Sequence, residues 1–395
     1  MSYSNRIGIR FPHQGKDLFK AAARMRKKHR KTDAIRLECL QDAYRAIELE
    51  KGLPKKPLFL INEWLIPACE EIRKGKYAPK RPRKKKIPKS NGGERILLIP
   101  RLMDRIIAKA VLGKLTPIVD PKFDPRSHGS RPKLGVHSAL ASAFKAMQAG
   151  FRFVVSCDIQ NAFPNTPTEA AICSLERLLG PHNCMELAKV CIRGHKGPER
   201  KLGLDQGHPL SPMAFNAFMD MFVDSTIPVS SDFVYIRYLD NLYFFFKSSE
   251  GLPHLIDGLI NGLGKHGLIL HADPLKDLNH EKLSFLGFKL FFDNARINIS
   301  GSTPDFAWLG TALERAYDHP NTHNRCLEIV NSFTGGNSLK VTWKPEDTLK
   351  VNELLQLYGI DYRLNHLEVL EKQEALYTKW AHKFSIDFPF MGYTD

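Results

Sequence analysis

The chain has 395 residues, 43% of them hydrophobic, enough for one large domain or two to three ordinary ones. Lys and Arg outnumber Asp and Glu by 58 to 42, and the net charge of +16 calls for a polyanionic partner, either a nucleic acid or an anionic membrane surface. No apolar run is long enough to span a bilayer, no secretory leader or lipidation motif is present, and the seven cysteines form no C-x-x-C pair; a structural zinc centre is therefore not expected, and free thiols in a reducing, cytoplasmic setting are.

Residues 1–75 read as a helical, basic region, with "RMRKKHRK" at 24–31 and Trp64, Leu65, Ala68 and Ile72 at helical spacing. A second basic block, "KRPRKKKIPK" at 80–89, is too rich in Pro and Lys for a helix and reads as an exposed strap or the edge of a hairpin. After "ILLIP" a helix carries Met103, Ile106, Ile107, Ala110 and Val111 on one face. "FRFVVSCD" at 151–158 reads as a strand buried on both faces that emerges at Asp158. "TPTE" at 166–169 predicts a helix start with Thr166 as cap and Glu169 closing a capping box. Ser211–Pro212 starts another, with Phe215, Phe218, Met219 and Phe222 facing inward.

In "YIRYLDNLYFFF", residues 235–246, period-two alternation on both sides of a Leu-Asp-Asn step predicts a hairpin with Asp240 at its tip. Asp and Asn suit such a turn, and turn chemistry alone is the ordinary explanation for them. A helical stripe of Leu252, Leu255, Ile256, Leu259, Ile260 and Leu263 stops at Gly267, and "LSFLGFKLFF" at 283–292 returns to strand. The last hundred residues read mostly as helix. The order suits an α+β core with helical appendages.

Two acids stand out together: Asp158 ends a buried strand and Asp240 tips a hairpin. Carboxylates at adjacent strand ends repel unless a cation lies between them, and Mg²⁺, with Mn²⁺ as the alternative, is the hard cation such a pair suits. Between them in the chain, "GLDQGHPLSP" at 203–212 forms a rigid, open backbone before a helix.

In this order the motifs resemble the reverse transcriptases of bacteria: the group II intron, retron and phage-defence types. "CDIQNAF" is similar to their first metal-binding motif, "GLDQGHPLSPMAFN" to their Gln-Gly-x-Pro-x-Ser-Pro-x-x-x-Asn segment, and "YLDN" stands where they carry Tyr-x-Asp-Asp. "FLGF" at 285–288 resembles their primer grip. "KSNGGERILLIP", "DRIIAKAV" and "SHGSRPKLGVHSAL" at 127–140 resemble the fingers of the intron-type enzymes, so that the likeness spans roughly residues 85–295.

The resemblance implies a right-hand polymerase: fingers, a palm with an antiparallel sheet, and a helical thumb. It divides the chain into an N-terminal region at 1–75, fingers and palm at 76–295, and a thumb-like region at 296–395. It implies an RNA-directed DNA polymerase that adds deoxynucleotides to a 3′-hydroxyl with two divalent ions. Asp158, Asp240, Asn241 and the Ile159 carbonyl would hold the metal, and Phe163 would be the steric gate against a ribose 2′-hydroxyl unless it is ordinary core. Lys89 and Arg95 would grip the triphosphate, and Gln206 and Gly207 would meet the nascent pair. Lys276, or Lys282, would protonate pyrophosphate. Arg131 would touch template phosphate or make a structural ion pair, Asn216 would position template or bond within its helix, and Phe285, Leu286 and Gly287 would hold the primer. Expected partners are dNTPs, the DNA product and an RNA template or structured non-coding RNA, with no membrane; a homo-oligomer or a partner protein is left open.

Two departures stand out. Asn241 replaces an acid, leaving the site one negative charge poorer; either two acids suffice, or the fold is an impaired polymerase acting as an RNA-binding subunit. Asp205 puts an acid where many relatives carry Pro. An RNA-dependent RNA polymerase is the rival within enzymes. No Cys/His-rich endonuclease module and no RNase H acid set are recognisable, and a retron or phage-defence enzyme fits the length better than a mobile intron protein.

Overall fold

Apolar residues at helical spacing build the first two helices, α1 (Leu37–Glu50) and α2 (Leu58–Arg73), which bury Leu40, Ile47, Ile61 and Leu65. Tyr44 and Trp64 meet edge to face with ring centroids 5.6 Å apart. The computed structural model describes residues 35–51, 55–88, 94–250, 253–301, 304–317, 321–335 and 343–386. The basic block at 24–31 and Lys89 lie outside the described residues. The second basic stretch forms β1 (Arg83–Pro88), paired antiparallel with β2 (Glu94–Ile99). Arg83, Lys84, Lys85 and Lys86 are all exposed, as expected of a charged hairpin edge.

The chain continues through α3 (Leu102–Val119), α4 (Val136–Gln148), β3 (Phe153–Ile159), α5 (Ala162–Asn165), α6 (Thr168–Leu179), α7 (Met185–Arg193) and α8 (Ser211–Phe222). Then come β4 (Phe233–Tyr238), β5 (Asn241–Phe246), α9 (Pro253–Gly264), β6 (Leu270–Ala272), β7 (Lys276–Asp277), β8 (Leu283–Phe285), β9 (Phe288–Asp293) and β10 (Arg296–Gly301). Four helices follow: α10 (Phe306–Tyr317), α11 (Thr322–Gly335), α12 (Pro345–Leu357) and α13 (His366–Phe384). The fold is α+β with antiparallel sheet pairing, as the element order predicts.

Two compact units divide the chain, each drawn from three segments. The first takes Met1–Pro125, Ile159–Pro228 and Asp257–Leu270; within it α1 packs on α2 and α3, α3 on α6 and α7, and α6 on α8. The second takes Arg126–Asp158, Val229–Ile256 and His271–Asp395. It carries a sheet in the order β4-β5-β3-β6, with β7 also pairing β3, and a three-stranded sheet β10-β9-β8. Phe144, Val154, Tyr243, Phe245, Phe285, Phe288 and Trp380 share its larger core, and the Trp380 indole N–H donates to the His137 carbonyl at 3.0 Å. Leu309, Leu313, Val330, Trp343, Val351 and Leu355 make a separate core among α10–α13.

Several local expectations are corrected. Thr166 does not cap α6: its hydroxyl donates to the Ala162 carbonyl at 2.7 Å, closing the short α5 instead. Pro167 is the cap residue, without a side-chain bond, and Glu169 receives a two-pronged contact from Arg193 at 2.7 Å rather than closing a capping box. The β3 strand is only partly enclosed: Val154, Cys157 and Ile159 are buried, while Phe153, Val155 and Ser156 are half-buried. "LSFLGFKLFF" is two strands rather than one, because Leu286 and Gly287 both take left-handed φ values, 52° and 91°, as a type I′ hairpin turn requires.

Candidate active site

Asp158 and Asp240 reach the same strand end in the second unit. The β3–β5 register sets Asp158 directly opposite Asn241, and the β4–β5 register sets Tyr238 opposite Asn241. The hairpin loop is therefore the two residues Leu239 and Asp240, and Asp240 adjoins the residue that faces Asp158. Directly paired residues put their side chains on one face of a sheet, so Asp158 and Asn241 share a face. Asp158 is exposed, while Asp240 and Asn241 are half-buried. The Asn241 amide N–H donates to Asp240 Oδ1 at 3.3 Å.

Tyr243 and Ser156, opposite one another, lie on that face one step further in. Burial pushes the Tyr243 phenol up to about 12; the charges of Asp158, Asp240 and Asp273 push the same way, and an N–H bond from Leu286 pulls it down. Asp273 joins the face through Ser156, whose hydroxyl donates to Asp273 Oδ2 at 2.6 Å while the Asp273 N–H donates to the Ser156 carbonyl at 2.8 Å. Sequence reasoning misses Asp273 because nothing local marks it. The Leu286 bond ties the "FLGF" turn to Tyr243, whose ring lies 4.4 Å from that of Phe285.

The first unit gathers the residues expected to meet the nucleotide. The half-buried Phe163 ring stacks on buried Phe215 at 4.9 Å between centroids. Its carbonyl accepts the Leu204 N–H at 2.7 Å, and the Gly203 N–H donates to the Thr166 carbonyl at 2.9 Å, so the "GLDQG" loop is strapped to the Phe163 segment. Gly203 takes φ 95°, and an added Cβ would meet the Pro164 carbonyl oxygen at 3.1 Å; both the angle and the space require glycine. On the loop's other side the Leu98 N–H donates to the Gln206 carbonyl at 2.8 Å. That bond joins Gln206 and the exposed Gly207 to β2, the strand that carries exposed Arg95. Asp205 does not present a free charge: it is buried and ion-paired with buried Arg200 at 2.5 Å, and the pair braces the loop from behind.

Other expected residues fall elsewhere. Asn216 is fully buried in α8. Phe285 is likewise fully buried and serves the core, whereas at the "FLGF" turn Leu286 is half-buried and Gly287 exposed. Arg131 donates to the Ser127 carbonyl at 2.9 Å and so braces its own loop. Lys276 pairs with Val154, four residues and roughly 13 Å along β3 from Asp158, which sets it down the sheet rather than beside the acids. Lys282 lies over the Phe291 ring at 4.3 Å. Ile159, in the first unit, closes β3 and is buried.

Among the described residues no group of three or more His, Cys, Asp or Glu side chains stands poised to hold a metal. The donors at the strand end are two carboxylates and an amide, all hard oxygen ligands. Mg²⁺ is commonly held by one or two carboxylates plus substrate phosphates, and the set fits that demand. All seven cysteines are free, and no helix of the described residues is long and apolar enough to cross a membrane.

Residues 87–290 match the family model described as reverse transcriptase (RNA-dependent DNA polymerase). Protein YkfC of Escherichia coli is 31% identical over 162 residues, covering 39% of this chain and 42% of that protein. The group II intron-encoded protein LtrA of Lactococcus lactis is 36% identical over 130 residues, covering 31% of this chain and 22% of LtrA. The chain thus spans less than half the length of these curated relatives. Apo telomerase from Candida tropicalis superposes with a TM-score of 0.44 at 12% identity, over 82% of this chain and 71% of that one. With the family model matching more than half of its residues, the chain belongs to the reverse transcriptase family.

Proposed function

We propose that the chain is an RNA-directed DNA polymerase that extends a 3′-hydroxyl with deoxynucleotides, using two divalent cations at Asp158 and Asp240. The observation that carries this reading is the strand register, which sets Asp158 opposite Asn241 and beside the Asp240 turn. In this reading the β1–β2 hairpin belongs to the fingers, the β4-β5-β3 sheet to the palm and α10–α13 to the thumb.

Asp158, Asp240, the Asn241 amide oxygen and the Ile159 carbonyl would hold the cations, which when bound lower the barrier to an in-line displacement at the α-phosphate. The protein's own residues do the rest. Arg95, with Lys89, grips triphosphate oxygens with fixed donor geometry. The open face of Phe163, backed by Phe215, excludes a 2′-hydroxyl by overlap. Gln206 and Gly207, held to β2, line the nascent pair. The net charge of +16 and the exposed lysines of β1 support a structured RNA as partner. Sequencing the nucleic acid that co-purifies tests that partner and the setting, phage defence included, in which the enzyme works.

The primary test supplies purified protein with primed RNA, dNTPs and Mg²⁺ or Mn²⁺. Asp240→Ala is expected to abolish incorporation; equal product from this variant overturns the reading. Phe163→Ala is expected to lower KM for ribonucleotides while kcat for deoxynucleotides is kept, and a variant that still rejects ribonucleotides removes Phe163 from sugar selection. Asn241 favours one second reading, an RNA-binding subunit without catalysis, because it leaves the strand end with one carboxylate fewer than an Asp-Asp pair. That reading predicts RNA binding with a steep salt dependence and no metal-dependent incorporation by the unaltered protein.

A further inference from the structure

We propose that Gly129 and Arg237 are positioning residues: together they form a rigid mould behind the Leu239–Asp240 turn and hold Asp240 in place. Leu239 takes φ 55° at the first central position of a two-residue hairpin loop, where a type II′ turn calls for glycine. A leucine left to itself relaxes out of that region. What keeps it there lies directly behind.

Residues 126–128 run alongside β4. Ser127 bridges Arg237 in parallel, the Arg237 N–H donates to the Arg126 carbonyl at 2.9 Å, and the His128 N–H donates to the Arg237 carbonyl at 2.8 Å. This brings Gly129 so close to the turn that an added Cβ would lie 2.6 Å from Leu239 N and 2.8 Å from its Cγ. The glycine is required here by space alone. Arg237, with 0% of its surface exposed, turns its guanidinium along the hairpin, and Nη1 donates to the Leu239 carbonyl at 3.2 Å. The mould is in turn anchored: His128 Nδ1 meets Ser138 Oγ at 2.9 Å on α4, and Arg131 holds the Ser127 carbonyl. The turn is gripped from behind by sterics and at its carbonyl by a buried cation, so Asp240 has one backbone position.

The inference rests on the polymerase reading for its purpose, whereas the grip on the turn can be read separately. Gly129→Ala is compared with the unaltered protein and with Gly113→Ala, where an added methyl meets nothing within 4 Å. Three measurements are made: hydrogen exchange of the 238–241 amides, Mn²⁺ binding by electron paramagnetic resonance, and incorporation. Gly129→Ala is expected to keep its circular dichroism, exchange faster at the turn and bind Mn²⁺ about 10-fold to 100-fold more weakly, as loss of a ligand's supporting contacts does. Its kcat is expected to fall about 100-fold with KM for primed template unchanged, the effect of a displacement near 1 Å. Gly113→Ala is expected to match the unaltered protein throughout. Should Gly129→Ala not fold, Arg237→Lys, which keeps the charge and loses the forked donor, is expected to move the same readouts in the same direction. A folded Gly129→Ala, or in its place a folded Arg237→Lys, with unchanged turn exchange and Mn²⁺ affinity overturns the proposal. An unaltered protein that neither binds Mn²⁺ nor incorporates nucleotide overturns the polymerase reading alone, and turn exchange in the variants still decides the mould.

Discussion

Asn241 is the residue on which the charge of the proposed metal site turns. It faces Asp158 across the ladder and donates its amide N–H to Asp240 Oδ1. Restoring the acid tests whether the native strand end is short of charge. A unit charge at about 4 Å is worth roughly 1 kcal/mol even in water, so Asn241→Asp is expected to lower the half-saturating Mg²⁺ concentration by at least about fivefold. A metal titration of incorporation reads this directly; an unchanged midpoint means that position 241 does not contact the ion. Within "YIRYLDN" the apolar alternation is broken at Arg237 as well as at Asp240, and the Arg237 side chain is fully buried.

Among the elements of the first unit, the loop from Gly203 to Leu210 is braced on more than one side. Its backbone is bonded to the Phe163 segment on one side and to β2 on the other, and the Arg200–Asp205 pair lies beneath it. Both partners are buried, so removing one leaves the other charge without compensation, at a cost of about 3–5 kcal/mol. Asp205→Asn is therefore expected to lower the melting temperature markedly and to loosen the loop. Calorimetry checks the first and proteolysis within 200–208 the second. A variant as stable as the unaltered protein means that the pair contributes no net stability.

Among the described residues each unit holds a buried histidine, His208 in the first and His128 in the second. Burial, reinforced by the charges of Arg131 and Arg237, lowers His128 from 6.5 to about 4. Burial lowers His208 from 6.5 to about 4 as well, with Asp205 acting in the opposite sense and Arg200 in the same. Both folded values lie below the unfolded one, so the unfolded chain takes up protons first as the pH drops. The stabilisation is full above about 6.5 and is lost progressively toward 4. The melting temperature is expected to fall steadily between pH 7 and pH 5, and the fall is expected to be shallower in His128→Gln. A pH-independent melting temperature over that range overturns the assignment.

Much of this architecture is legible in the residues themselves. Helical stripes such as Ile106, Ile107, Ala110 and Val111, and the period-two runs around Asp240, announce their elements because periodicity is a local property of the chain. The motif order also points to Asp158, Phe163, Gln206 and Asp240 as the residues of the proposed site. Local turn chemistry misled at Thr166, where a one-turn helix claimed the hydroxyl, and at the hairpin, where the unusual backbone angle falls on Leu239 rather than on Asp or Asn. The register that sets Asp158 against Asn241, the bond from Ser156 to Asp273 across 117 positions and the approach of Gly129 to Leu239 were decided only in three dimensions. Each joins residues far apart in the chain, and which of them meet depends on strand pairing and packing rather than on any residue's own preference.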